Sequence, residues 1–176
     1  RLGIPCRLHP SLPLATGRAA RSLLLLVRCR DFARPAVMEF LTFAPVPFEA
    51  LLPAGATPRP AQWDALSRDA GVVSGLDRWR AGLLTQAKLE REAAQADPGH
   101  RPERRALQLQ RANDAEALLH VVETLAKTLE TLDGEASWAE WARRLQGVLD
   151  PWEGPERDGE AVAEVIPDIG GLSSLS

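Results

Sequence analysis

The sequence has few cysteines, no long apolar run and no nucleotide-binding glycine loop, and each absence excludes a class of protein. Cys6 and Cys29 are the only cysteines. Two cysteines cannot build the disulfide framework of a small secreted domain, so we expect a reducing cytoplasm. The longest apolar run, residues 23–27, is far shorter than the roughly 20 residues of a transmembrane helix. We therefore predict a cytoplasmic chain with no membrane partner.

Motifs that bind nucleotides or structural metals are also missing. Neither G-x-x-x-x-G-K-[ST] nor G-x-G-x-x-G occurs, and the only paired glycines, Gly170 and Gly171, lie near the C-terminus. Cys6 and His9 have C-x-x-H spacing, but the remaining cysteine and histidines offer no matching pair for a four-ligand zinc site. We expect no cofactor in this chain and no active site of its own.

Two weaker patterns have ordinary explanations. Glu116, His120 and Glu123 share one face of a predicted helix, but di-metal helical bundles use Glu-x-x-His on two helices, and no second copy exists here. His120 is therefore predicted to be a surface histidine. Pro167-Asp168 resembles the start of the PD-(D/E)XK nuclease signature, but no Asp/Glu-x-Lys follows it. Neither pattern predicts a metal site.

The chain does have enough length for one core, and its charge is strongly asymmetric. Its 176 residues, 45% of them apolar and 26% charged, suffice for one globular domain. Residues 1–59 carry eight Lys or Arg and three acids, whereas residues 112–176 carry four and fourteen. This asymmetry indicates either a side that faces a polyanion or two solvated faces.

Hydrophobic periodicity predicts an all-α domain of about seven helices after a short extended N-terminal segment. The predicted helices cover residues 16–28, 35–41, 60–69, 76–96, 102–133, 138–149 and 160–166, with one more turn at 48–52. We expect a connector over residues 1–14, a helical domain over 15–166 and a tail over 167–176. The chain begins without an initiator Met, and we expect it to be a fragment of a larger protein.

The longest predicted helix should be the central one, because a single apolar stripe runs along its length. The stripe consists of Leu107, Ala115, Leu118, Val122, Leu125, Leu129 and Leu132. The next helix begins at a predicted capping box, residues 137–140, and turns Leu145 and Leu149 inward. Core packing is the expected role of all five tryptophans, Trp63, Trp79, Trp138, Trp141 and Trp152. Trp152 is the only one for which base stacking is the alternative.

The first predicted helix is amphipathic and carries a row of arginines. On a helical wheel its apolar side is predicted to hold Ala19, Ala20, Leu23, Leu24, Leu26 and Val27. Opposite them, or following the helix, are Arg18, Arg21, Arg28, Arg30 and Arg34. We predict that these arginines contact DNA phosphates without sequence preference. The alternatives are a solvated face or pairing with the acidic C-terminal third, and the next candidates for DNA contact are Arg101, Arg104, Arg105 and Arg111.

Several stretches resemble UvrD/Rep-type superfamily-one DNA helicases. Residues 2–14 are similar to a "GIPyrl" strand that leaves the second motor domain, and residues 17–24 to the helix that begins the inserted 2B subdomain. Residues 31–41 are similar to the "dfpr.av.efL" helix that follows. Residues 63–79 and 137–149 are most similar to AddB-like helicase–exonuclease subunits, in which helicase folds are joined to a PD-(D/E)XK nuclease. The resemblance covers most of residues 1–166.

The resemblance implies an accessory 2B-like domain of a helicase or helicase–nuclease that acts in DNA repair and recombination. Its implied partners are DNA, bound weakly and non-specifically, and the motor domains of the parent chain or a helicase–nuclease partner subunit. The Walker elements, motor arginines and nuclease metal site would then lie outside this segment. A rival interpretation from another class is a stand-alone helical module whose basic face binds an acidic protein.

Overall fold

The computed structural model describes residues 18–44, 46–54, 56–96 and 102–149, and all regular elements in these ranges are helical. The α-helices are α1 (Arg18–Arg28), α2 (Arg34–Phe43), α3 (Phe48–Leu51), α4 (Pro60–Asp69), α5 (Leu76–Ala96), α6 (Pro102–Glu130) and α7 (Trp138–Leu149). This arrangement confirms the predicted all-α fold. The predicted extended segment over residues 1–14 and the helix over 160–166 lie outside the described residues.

Local sequence explains where several helices begin. Pro35 and Pro60 occupy the first turns of α2 and α4, where the missing N–H costs no intrahelical hydrogen bond. The backbone N–H of Glu140 donates to Ser137 Oγ at 3.3 Å, which is half of the predicted capping box. The other half is absent among the described contacts, because the Glu140 carboxylate pairs with Arg143 and Arg144 instead.

Helices α5 and α6 form a long antiparallel hairpin. Ion pairs between the two helices establish their direction, since Arg80 contacts Glu123 while Glu90, further along α5, contacts Arg111 earlier on α6. Leu83 on α5 and Leu118 on α6 are fully buried. Of the helices described between residues 18 and 149, none combines the length and apolar character needed to cross a bilayer.

One connected core joins the hairpin to the other helices. Its largest fully buried side chains are Trp63, Trp79, Phe40, Leu26, Leu41, Leu83, Leu118 and Leu125. From α7, Val148 is buried and Trp141 and Leu145 pack against the core, while the side chains of Trp138 and Leu149 are not described. The burial of Trp63 and Trp79 confirms their predicted role.

The connection between α4 and α5 is tied to the turn between α1 and α2. This turn comprises a 3-10 segment, Cys29–Asp31, and Phe32, whose φ of 49° is left-handed. Phe32 O accepts a hydrogen bond from Trp79 Nε1 at 2.8 Å, and Asp31 O accepts one from the backbone N–H of Gly75 at 3.0 Å. These contacts hold α1 and α2 against the hairpin.

The predicted buried side of α1 is only partly right: Leu26 is fully buried as predicted, but Leu24 and Val27 are exposed. Ser22, Leu25, Leu26 and Cys29 are buried, whereas Leu24, predicted to be on the core side, is 55% exposed. The apolar run of residues 23–27 wraps around more than half of the helix, so two different apolar faces were available. Packing selects the face of Cys29, whose single S–H has two acceptors within reach, Leu25 O at 3.2 Å and Ala36 O of α2 at 3.5 Å from Sγ.

The apolar stripe of α6 extends beyond the core at its N-terminal end. Leu118, Val122 and Leu125 are fully buried, as predicted, but Leu107 is 60% exposed. Leu107 lies near the start of a 29-residue helix, where it borders an open cleft beside α4 instead of packing inside the core. The stripe therefore predicts the central part of α6 correctly and fails at its first turns.

Replacing Gly82 with alanine is expected to destabilise the domain, although alanine is the better helix former. A Cβ atom at Gly82, within α5, would lie 2.6 Å from the backbone oxygen of Ala70. Because a backbone atom cannot move aside cheaply, we expect a loss of about 1–3 kcal/mol in the free energy of unfolding. Urea denaturation monitored by circular dichroism measures this loss.

Gly147 in α7 provides the matched control. No atom lies within 4 Å of a Cβ built there. Gly147→Ala should therefore be neutral or stabilising, by up to about 1 kcal/mol from helix propensity alone. Equal free energies of unfolding for Gly82→Ala and Gly147→Ala would show that α5 can move away from the end of α4 without a loss of stability.

Candidate nucleic-acid interface

The structure brings together two of the predicted arginines, Arg21 and Arg28, on the side of α1 that adjoins α2. The Arg21 guanidinium lies over the ring of Phe43, 5.8 Å from its centroid. Arg28 Nη1 lies 3.2 Å from Glu39 Oε2, four residues before Phe43 on the same side of α2. The Arg28 side chain is still 63% exposed and Arg21 is exposed as well, so both arginines remain accessible from solvent.

The other two arginines with described side chains point elsewhere. Arg30 Nη2 lies 2.6 Å from Asp133 Oδ1, in the connection between α6 and α7. Arg34 Nη1 lies 2.5 Å from Asp64 Oδ1 on α4, and Arg34 is only 22% exposed. The four arginines whose side chains are described therefore contact three different parts of the fold: α2, the connection before α7, and α4. Arg18 opens α1, but its side chain is outside the described part.

The second set of predicted basic residues is divided in the same way. Arg104 and Arg105 are exposed in the first turns of α6, and neither has an ion-pair partner within the ranges that the structure describes. Arg111 pairs with Asp69 at 2.8 Å and with Glu90 at 2.8 Å. Arg101 lies outside the described residues.

An exposed apolar side chain, Leu24, lies between the two arginines of α1, a feature that the sequence prediction missed. Leu24 is three residues after Arg21 and four before Arg28, so it occupies the same helix face. Val27 and Phe43 are also exposed. We call the surface formed by Arg21, Leu24, Val27, Arg28, Glu39 and Phe43 the α1–α2 face. This face therefore combines arginines with exposed apolar groups.

The carboxylates near His120 are engaged by arginines. Arg91 binds Glu116 through two parallel contacts, at 2.5 and 2.6 Å, and Arg80 binds Glu123 at 3.2 Å. The hydrogen bond from Arg91 is the main cause of a lowered pKa of Glu116. Among the residues that the structure describes, no group of three or more His, Cys, Asp or Glu side chains is arranged to hold a metal ion.

Cys29, the cysteine in the described part of the chain, is fully buried in the core. Burial raises the pKa of the Cys29 thiol to about 12. Thiolate is the nucleophilic form, so this cysteine is suited to packing and not to catalysis or metal binding.

A cleft of about 190 Å³ lies between α4 and α6. Leu66, Leu107 and Arg111 are among its lining residues, together with the buried Asp114. Gln110 donates to Asp114 Oδ1 at 3.0 Å, so the buried carboxylate already has a partner. The cleft therefore offers no unpartnered acid for a substrate or ion.

Comparison with protein-family models, curated proteins and solved structures finds no match. What is known of the class of this protein comes from the structure, in which the described residues form an all-α domain with one core. The resemblance to helicase 2B subdomains stays a prediction.

Proposed function

We propose that this chain is an accessory, 2B-like helical domain of a DNA helicase or helicase–exonuclease. In this proposal it contacts and orients duplex DNA and has no active site of its own, while motor domains outside this segment hydrolyse ATP. The observation that supports DNA contact is the position of Arg21 and Arg28. Both are exposed on one side of a helix whose other side is buried through Leu25, Leu26 and Cys29.

A packed helix suits phosphate contact because the backbone that carries its arginines is held in place before binding. The backbone that carries Arg21 and Arg28 is fixed by core packing, so binding would order only the side chains. Phosphate contacts made in this way carry no sequence information. The implied interaction is therefore general for duplex DNA.

The nearby acids set the expected strength of the interaction. Glu39 partly neutralises Arg28, and Asp133 and Asp64 engage Arg30 and Arg34. A phosphate would have to compete with these carboxylates. We therefore expect a dissociation constant of about 10⁻⁴ to 10⁻⁶ M, the range of non-specific binding.

Changing Arg18, Arg21 and Arg28 together to alanine should weaken DNA binding equally for all sequences. Each lost phosphate contact should also reduce the slope of log affinity against log salt by roughly one unit. Fluorescence anisotropy with a labelled duplex at several salt concentrations measures both quantities. Equal affinity for wild type and triple variant would refute this interface and direct attention to Arg104 and Arg105.

A reciprocal variant strengthens the same test. Glu39→Gln removes the carboxylate that Arg28 contacts and should raise DNA affinity. Glu49→Gln is the matched control, because Glu49 is exposed on α3 and has no ion pair among the described residues. If both variants bind DNA equally well, only the change in net charge matters and Arg28 has no particular role.

The second candidate function is a protein-interaction module. It is favoured by the exposed Leu24, Val27 and Phe43, which phosphate binding does not require. The two functions differ in salt dependence, because counterion release makes DNA affinity fall steeply with salt, whereas an apolar interface responds much less.

A further inference from the structure

Phe43 differs from every other aromatic residue whose side chain is described. It is 64% exposed at the C-terminal end of α2, whereas Phe40, three residues earlier, is fully buried. The other aromatic side chains described between residues 18 and 149 are buried or partly buried. Exposure alone does not identify a partner for this ring, but the residue beside it does.

The neighbour of the Phe43 ring is a cation that has no acid of its own. The Arg21 guanidinium lies over the ring, 5.8 Å from its centroid, and within the described part of the chain no carboxylate pairs with Arg21. The donors of a guanidinium lie in its plane, so an arginine can contact an aromatic ring and still donate to a phosphate. Arg21 and Phe43 therefore offer a phosphate contact and an aromatic surface side by side.

We propose that Phe43 stacks on an unpaired base of the DNA whose phosphates Arg21 contacts. This inference rests on the DNA contact proposed above and narrows its substrate to DNA with unpaired bases, such as a duplex with a single-stranded tail. Bases inside a duplex are already stacked on their neighbours, and flipping one out costs free energy. Aromatic rings combined with positive charge are how proteins bind single strands without sequence preference.

The fold holds the ring in place for such a contact. Phe43 is the last residue of α2, and the N–H of the buried Ala44 after it donates to Phe40 O at 2.9 Å. Core packing therefore fixes the backbone on both sides of Phe43. A base that binds there has to order only the ring and the Arg21 side chain, which lowers the entropic cost of binding.

The two arginines of α1 are spaced for contact with one strand. Arg21 and Arg28 are seven residues apart, which is about 10 Å along the helix axis and nearly two full turns. A stacked strand advances about 3.4 Å per nucleotide, so roughly three nucleotides cover this distance. A strand that follows α1 can therefore contact both arginines and place a base next to Phe43.

The charges around Phe43 favour a nucleic acid over an apolar protein surface. Arg21 lies over the ring, and Glu39, which pairs with Arg28, is one turn earlier on the same side of α2. The centre of a protein interface is usually a contiguous apolar patch, which these charged side chains interrupt. A base needs only one ring, and its phosphates need the neighbouring arginines.

Fluorescence anisotropy of the full chain with three labelled probes tests the proposal. The probes are a blunt duplex, the same duplex with a single-stranded tail of about ten nucleotides, and the tailed duplex with abasic sites throughout its tail. The abasic tail keeps every phosphate and lacks the bases. The wild-type chain should bind the tail with bases about five- to 150-fold more tightly than the abasic tail, which is the contribution of one base–aromatic stack.

Variants of the ring separate stacking from apolar contact. Phe43→Leu should bind the two tailed probes equally, because leucine is apolar but has no aromatic face, and Phe43→Trp should restore the preference. Arg21→Ala with Arg28→Ala should weaken binding of all three probes. Leu84→Ala is the control, since Leu84 is a similarly exposed apolar residue on α5, and it should leave all three affinities unchanged. Circular dichroism checks that each variant is folded.

Three outcomes would overturn the inference. Equal affinity of the wild-type chain for the two tailed probes assigns Phe43 to an apolar protein contact and leaves DNA contact through the arginines intact. A preference for bases that survives Phe43→Leu means that another side chain stacks on them. Absence of binding to all three probes refutes the proposed function and this inference together, so the two failures are distinguishable.

Discussion

Replacing Leu118 with alanine is expected to lower the free energy of unfolding by about 2–5 kcal/mol. Leu118 lies in the middle of α6 and is fully buried in the core. Alanine would remove its buried methyl groups and leave a cavity, because the neighbouring helices can only partly collapse into the space. Urea denaturation gives the loss from the shift of the unfolding midpoint at constant slope.

Leu107→Ala is the matched control, since it is the same substitution on the same helix. Leu107 is 60% exposed, and substitutions at such positions usually change stability by less than about 0.5 kcal/mol. Both residues belong to the apolar stripe that the sequence predicts, but only Leu118 lies in the core. The pair of variants therefore shows whether burial, and not membership of the stripe, determines the loss of stability. Equal losses at the two positions would mean that Leu107 is covered in the full chain.

The sequence predicts the order of the helices and most of their bounds because each boundary has a local cause. Pro35, Pro60 and Ser137 begin helices through their own backbone or side-chain chemistry, and these signals act within one turn. The central part of α6 is also predictable, since Leu118 and Leu125 repeat at helical spacing.

The rotation of α1 about its axis could not be predicted from this helix alone. Leu24 and Leu25 are adjacent and equally apolar, so the helix itself cannot determine which of them is buried. The choice depends on the contact between Cys29 and Ala36 of α2, which is a property of two packed helices. A stripe of Ser22, Leu25, Leu26 and Cys29 was the available signal, but the small and polar Ser22 hides it.

The arginines illustrate the same limit for the candidate site. Wheel positions correctly place Arg21 and Arg28 on one side of α1, because that relation is set within one helix. They say nothing about the acids that other helices contribute, and Glu39, Asp64 and Asp133 come from three different parts of the chain. The ion pairs therefore cannot be predicted from α1 alone, because they form only when the other helices pack against it.

Substituting phenylalanine for each of two buried tryptophans should have unequal effects. Trp79 and Trp63 are both fully buried, but only Trp79 Nε1 donates a hydrogen bond, to Phe32 O at 2.8 Å. Within the described part of the chain, Trp63 Nε1 has no hydrogen-bond partner. Trp79→Phe leaves the part-buried Phe32 carbonyl without its donor, which costs about 1–3 kcal/mol in addition to the loss from the smaller ring.

Trp63→Phe removes an unpaired donor and keeps an aromatic ring next to Phe48, with which Trp63 makes an edge-to-face contact at 5.3 Å. We therefore expect Trp79→Phe to be the more destabilising change by about 1–3 kcal/mol, as measured by urea denaturation of both variants. The difference arises at the turn between α1 and α2, which Trp79 ties to α5. Equal losses would show that the ring volume alone matters, and that the Trp79 hydrogen bond does not hold α1 and α2 against the hairpin.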